Sequence, residues 1–276
     1  MAIIELKNVT KTFGRQEILR GVNLSVKEGE TKIILGGSGQ GKSTILRLVL
    51  GFDIPDSGQI LINNTDISRL SEEEMVPIRK RMGMVFQESS LFDSLTVFNN
   101  IAYRYHEEAS FSEEEIVSKT ERLLHLVDLE KEDLVKLPEQ LSGGMKRRVA
   151  IARALAGQHK IMLYDEPTAG LDPITGGHIT ALMIRLRDLE KMTSLLVTQD
   201  LISSFQLSTH CAHLENDRIN IRVNPNHPCT ADTKLVVLKD GRILIEGTLA
   251  QLLQSSDTYV QQFLSSIKLI IPRSGG

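Results

Sequence analysis

Residues 36–44 read Gly36-Gly37-Ser38-Gly39-Gln40-Gly41-Lys42-Ser43-Thr44, the G-x-x-x-x-G-K-[ST] spacing that wraps backbone around a polyphosphate. The glycines allow a bend tight enough to aim several N–H groups at one ligand, Lys42 carries charge to the terminal phosphates, and the Ser43 hydroxyl can hold Mg²⁺. All nine residues are therefore candidate ligand contacts. The apolar run ending at Leu35 predicts a buried strand before the loop, and Ile45 to Leu50 predicts a helix after it. A helix start there adds partial positive charge to the cradle. The expected ligand is a nucleoside triphosphate, with magnesium.

Asp165 and Glu166 follow a second apolar run, Ile161 to Tyr164. Phosphoryl transfer to water needs a metal to neutralise phosphate oxygens and a group to orient and deprotonate the water. Asp165 is the candidate metal residue and Glu166 the candidate general base. A second glycine-containing helix start, Ser142-Gly143-Gly144, precedes Lys146, Arg147 and Arg148 and forms another potential anion site. One triphosphate cannot occupy both loops unless they face each other.

The 276 residues are 41% apolar and 24% charged, enough for a sizeable core and one or two domains. A net charge of −3 gives no global field for nucleic acid, so no nucleic-acid partner is expected. Two cysteines, Cys211 and Cys229, suggest no disulfide framework and a reducing compartment. Glu5 interrupts the N-terminal apolar run, so no secretory signal is read there. No stretch approaches 18 apolar residues, and any membrane work would pass through a partner.

Around these groups the chain predicts an antiparallel β region over 2–35, with Gly14, Gly21 and Gly29 as turn breaks. A strand over 59–63 and a capping box at Ser71 follow, then strand character at Met84 to Phe86. Strand signals stop between 89 and 157, where a second capping box at Ser112 and a helix after Ser142 predict a helical insertion. A strand at 160–164, a helix over 177–189 and a strand at 194–198 predict a mainly parallel sheet. A hairpin turns about Asp240-Gly241, and helical segments lie near 249–253 and 260–264.

In this combination the chain resembles the ATP-binding subunits of the ABC transporter superfamily, over about residues 3–250. The resemblance implies an α/β P-loop NTPase (RecA-like) with a parallel-sheet core, an N-terminal antiparallel β region and an inserted α-helical subdomain. Its implied division is a core of 1–88 and 158–250, a helical subdomain of 89–157, and a C-terminal helix and tail of 251–276. It also implies ATP hydrolysis by a head-to-tail dimer, in which Ser142, Gly143 and Gly144 complete the partner copy's site. By the same resemblance Gln87 senses Mg²⁺ and the attacking water, Asp172 lies at the dimer seam, and Phe13 stacks on adenine. The family usually carries histidine where this chain has Gln199. A glutamine amide can donate a hydrogen bond but cannot carry charge near neutral pH.

Met145 after the signature glycines, Pro173-Ile174-Thr175-Gly176 after Asp172, the segment Ser90 to Asn100 and Val260-Gln-Gln-Phe-Leu264 resemble the ATPases of Mla/Mce phospholipid-transport systems. That implies a membrane permease contacting about residues 88–105, an MCE-domain lipid-binding protein, a small accessory subunit, and a peripheral position on the cytoplasmic face of the inner membrane. Polar amino-acid importers, or a soluble ABC ATPase without permease, are the alternatives. Leu91, Phe92, Leu95, Val97 and Phe98 are expected to divide between that contact and the core. Residues 212–230 look like inserted material. His210, Cys211, His213, His227 and Cys229 flank it, but their spacings are tighter than those of zinc fingers, and a solvated loop is expected.

Overall fold

The computed structural model describes residues 1–108, 110–157, 160–215, 218–223 and 232–265. The first half runs β1 (Ala2–Phe13), β2 (Gln16–Lys27), β3 (Thr31–Leu35), α1 (Lys42–Val49), β4 (Ser57–Ile62), β5 (Thr65–Asp66), α2 (Glu72–Arg79), β6 (Met82–Val85), α3 (Val97–Glu108) and α4 (Glu113–Leu126). The second half continues α5 (Gly143–Leu155), β7 (Ile161–Asp165), α6 (Pro173–Leu189), β8 (Thr193–Thr198), α7 (Leu201–Thr209), β9 (His210–Glu215), β10 (Arg218–Val223), β11 (Thr233–Lys239), β12 (Arg242–Gly247), α8 (Leu249–Leu253) and α9 (Thr258–Phe263).

The central sheet has the order β12-β11-β3-β8-β7-β6, with β12 antiparallel and every other neighbouring pair parallel. Its middle strands β3 and β8 are buried along their whole length because both faces are covered. Period-two alternation then divides their side chains: Ile33, Leu35, Met162, Tyr164 and Leu196 pack with the helices of one face. Ile34, Ile161, Leu163, Leu195 and Val197 pack with α1 and a second sheet on the other. That second sheet, β2-β1-β4-β5, is antiparallel. A one-residue slip in any central strand would exchange its two faces. The strand ends carrying the loops after β3, β7 and β8 are thereby fixed side by side, as ligand sites on open α/β sheets require.

Four expectations need correction. Gly21 does not break a turn; it lies inside β2 at φ +73°, where a Cβ would approach Asn8 Oδ1 to 2.8 Å. α6 begins at Pro173 rather than 177, because Asp172 caps it and proline suits the first helical position. In the described part of the 212–230 stretch the expected solvated loop gives way to pairing of β9 with β10. Ala212 and Cys211 are buried in β9, and the Ala212 N–H donates to Asp188 Oδ2 at 2.8 Å. Cys211 is disulfide-bonded, which also corrects the expectation of no disulfide framework. His227, Cys229 and the tail after Ser265 lie outside the described residues, among which no group of three or more His, Cys, Asp or Glu side chains could hold a metal ion. No described helix is long and apolar enough to cross a membrane.

Candidate active site

The loop after β3 delivers its groups through two backbone constraints. Gly41 caps α1 at φ +96° with no side-chain cap, so no capping oxygen competes for the helix's first N–H groups. Gly36 passes so close to β11 that a Cβ would lie 2.6 Å from the Leu238 carbonyl oxygen. Gln40 faces away from the ligand space, its Oε1 accepting the Asp240 N–H in the β11–β12 turn. Lys42 is buried and donates to the Gly36 and Gly37 carbonyls at 3.0 Å each, with Glu166 Oε1 at 3.4 Å.

These groups border a cavity of about 320 Å³ lined by Phe13, Ile18, Ser38, Gly39, Gly41, Lys42, Ser43, Thr44, Gln87, Glu166 and Gln199. Phe13 presents an exposed ring, with Lys11 Nζ 5.1 Å from its centroid. Ser43, in this lining, donates its hydroxyl to Asp165 Oδ1 at 2.9 Å. Burial pushes the Asp165 carboxyl above its ordinary range, and the Ser43 hydrogen bond opposes that. Two oxygens meeting beside a phosphate cradle are a donor set suited to a hard divalent cation. Glu166 has φ +46°; its Oε2 accepts from Thr198 Oγ1 at 2.9 Å and from the Gln199 N–H at 3.1 Å.

Gln87 reaches the cavity from the segment after β6, and the guanidinium of Arg147 in α5 donates to the carbonyls of Phe86 and Gln87. Thr198 is not singled out by the sequence, and Arg147 is read there only as part of the helix after Ser142, because their partners are distant along the chain. Ile18 carried no signal beyond its strand pattern.

Ser142, Gly143, Gly144 and Asp172 do not line this cavity. Ser142 caps α5, its Oγ accepting the Met145 N–H at 3.2 Å. Asp172 Oδ1 accepts the N–H groups of Ile174 and Thr175 at 3.1 Å each. The Thr175 side chain, foremost, holds the Asp172 carboxyl below its ordinary range. Gly144 abuts Thr175, joining the starts of α5 and α6 into a second locus on the same chain.

A separate groove of about 560 Å³ lies against α2, β6 and α3, with Val76, Phe86, Phe92, Tyr103 and Arg153 among its lining. Phe92 and Tyr103 rings sit 4.8 Å apart, and Arg153 donates to the Ser89 and Ser90 carbonyls. Of the five apolar residues expected in this stretch, Phe92 lines the groove; Val97 is core, and Leu91 and Phe98 are half-buried against it.

The sequence matches the ABC transporter family over residues 19–169. It is 36% identical over 266 residues to the intermembrane phospholipid transport system ATP-binding protein MlaF of Haemophilus influenzae, spanning 95% of this chain and 90% of that one. It is 35% identical over 240 residues to the methionine import ATP-binding protein MetN of Carboxydothermus hydrogenoformans, spanning 83% of this chain and 71% of that one. Among solved structures, the dimeric post-hydrolysis state of the ATP-binding cassette MJ0796 bound to ADP and Pi superposes with a TM-score of 0.74 at 33% identity, covering 89% of this chain and 98% of that one.

Proposed function

The chain belongs to the ABC transporter family as an ATP-hydrolysing subunit, and we propose that it drives a permease moving phospholipids between membranes. The observation that carries the enzymatic part is the meeting of Lys42, the Ser43–Asp165 pair and Glu166 around one cavity beside the uncapped start of α1. ATP would lie with its phosphates on the 36–44 loop and its adenine on Phe13. Ser43 and Asp165, with Gln87 nearby, would hold magnesium, which supplies neutralisation of phosphate charge. Lys42 would leave the Gly36 and Gly37 carbonyls for the terminal phosphate oxygens. Glu166 would accept the proton of a water attacking the γ-phosphorus, as the bond from that phosphorus to the β,γ-bridging oxygen breaks and ADP and phosphate form. Gln199 would donate a neutral hydrogen bond to the γ-phosphate.

The second locus suits a head-to-tail dimer. Ser142, Gly143, Gly144 and Asp172 lie off the chain's own cavity, and the MJ0796 cassette is described as dimeric. Each copy would complete its partner's site. We assign 1–88 and 158–250 to the core, 89–157 to the helical subdomain and 251–276 to a C-terminal extension. The groove beside residues 88–105 would receive the permease at the cytoplasmic face of the inner membrane.

Phospholipid as cargo rests on the near full-length similarity to MlaF together with the subfamily residues. An MCE-domain protein and a small accessory subunit would belong to the same assembly. Similarity to MetN supports amino-acid import as the second reading, but that alignment leaves 29% of the relative unmatched. Glu166→Gln tests the enzyme: turnover should fall at least ~100-fold, while ATP drives the variant into a dimer on size exclusion. Wild-type turnover would remove Glu166 from the base role. Headgroup-labelled phospholipid transfer by the permease complex in proteoliposomes tests the cargo; ATP-dependent amino-acid uptake without lipid transfer would replace it.

A further inference from the structure

We infer that Thr198 and Asp200 are positioning residues that hold one oxygen of the Glu166 carboxylate, so that the other faces the cavity as the proton acceptor. The inference rests on the reading of Glu166 as general base.

Glu166 occupies left-handed backbone space at φ +46°, a conformation that persists in a non-glycine residue only where its surroundings over-determine it. Its N–H donates to the Val197 carbonyl at 2.9 Å, and its own carbonyl accepts the Ala169 N–H at 3.1 Å. The side chain is held from the same strand: Oε2 takes the Thr198 hydroxyl and the Gln199 N–H. Thr198 is buried, and its Oγ1 also accepts the Asp200 N–H at 2.9 Å. A hydroxyl carries one proton. With a lone pair committed to Asp200, that proton is aimed at Glu166.

Asp200 is itself immobilised. Its Oδ1 accepts the N–H groups of Ile202 and Ser203 at 2.9 and 3.1 Å, capping α7. Its Oδ2 accepts the hydroxyls of Ser203 and Thr168, the latter at 2.8 Å. Thr168 stands two residues beyond Glu166, so the bonds close a ring: Glu166, Thr198, Asp200, Thr168 and back along the chain to Glu166. The ring spans the ends of β7 and β8. Oε1, the oxygen outside it, lies 3.4 Å from Lys42 Nζ on the cavity side. A carboxylate held by one edge keeps its other oxygen fixed toward an attacking water. That fixing is the geometric requirement for general-base catalysis.

The test is steady-state ATP hydrolysis by the full chain. Losing a hydrogen bond to a charged group costs roughly ten- to hundredfold, so Thr198→Val should lower kcat by that factor. Removing a contact that acts on the chemical step should leave KM for ATP within about twofold, and Thr198→Ser should restore kcat to within about threefold. Because the effect passes through Glu166, adding Thr198→Val to Glu166→Gln should slow turnover no further. Should Thr198→Val lower the thermal midpoint enough to obscure the kinetics, Thr168→Val opens the ring one bond further away and should give a smaller loss, again confined to kcat. Wild-type kcat in Thr198→Val beside an inactive Glu166→Gln would overturn the positioning role and leave the base intact. A loss carried by KM, or a double variant slower than Glu166→Gln, would also overturn it. Wild-type turnover in Glu166→Gln would overturn the base assignment and this inference together.

Discussion

Gly144→Ala should damage the enzyme by separating α5 from α6, and the structure gives the size of the effect. A Cβ at Gly144 would lie 2.3 Å from Thr175 Cγ2, whereas ordinary contact begins near 3.4 Å. Relief needs about 1 Å of movement, and overpacking of this kind costs about 1–3 kcal/mol. Rotating Thr175 away is not free, since its side chain bonds Asp172 and β-branched χ1 states in helices are few. The helices should therefore shift instead, lowering the thermal midpoint by roughly 2–12 °C for a chain of this size. A misplacement near 1 Å in catalytic groups can cost ~100-fold in turnover, and that is the expected loss of ATPase activity. Thr175→Ala deletes the clashing methyl, so the double variant should regain most of the midpoint and part of the turnover. The assays are thermal unfolding and phosphate release. A double variant no more stable than Gly144→Ala would refute the steric argument, as would a single variant with wild-type midpoint and turnover.

Gln199→His places a group able to carry charge in the cavity lining, where the proposed γ-phosphate would lie, and should raise kcat several-fold, most below pH 7; an unchanged pH–rate profile would show that this position does not limit hydrolysis. Arg147→Lys replaces a fork holding two carbonyls with a single point donor, and should cost about 1–3 kcal/mol in urea unfolding; wild-type stability would make the fork incidental. Burial, and then the Arg187 charge, press the His210 imidazole below its ordinary value, against a backbone hydrogen bond with Gln206 that raises it. The unfolded chain therefore binds the proton more readily, and this residue's contribution is present above about pH 6.5 and lost as pH falls below it. His210→Gln should flatten that acid-side loss in urea midpoints between pH 8 and pH 5.5, and an identical slope in both proteins would contradict it.

How far the sequence could be read depended on how local the deciding interactions are. The 36–44 loop, the Asp165-Glu166 pair and the boxes at Ser71 and Ser112 are set by neighbours within a few residues, and each formed as expected. The signal for the start of α6 was also local, Asp172 followed by Pro173, yet the expected helix began only at Gly177. What escaped were partners joined only by the fold. Thr198 meets Glu166 across 32 residues, and Arg147 meets Gln87 across 60. The β9–β10 pair was missed for a different reason. Its alternation is present in Ile219, Ile221 and Val223, but arginine and asparagine between them read as loop until Ala212 is seen packed on the core.

The two helix starts differ in a way that bears on how one site could govern the other. α1 begins at a glycine and leaves its first N–H groups for a ligand, whereas α5 begins at Ser142, whose oxygen is occupied by the Met145 N–H. A hydroxyl that accepts from its own helix still has its proton to give, and Ser142 lies exposed at the helix start. Ser142 is thus suited to donate to an anion presented by another molecule rather than to enclose one of its own. One turn along α5, Arg147 grips the backbone at Gln87, and Arg153 grips Ser89 and Ser90 beside the groove. A force on the start of α5 would reach the cavity and the groove through rigid donors rather than through loose loop contacts. In a dimer, each copy's phosphate would then pull on the other copy's groove, which is the coupling a transport ATPase needs.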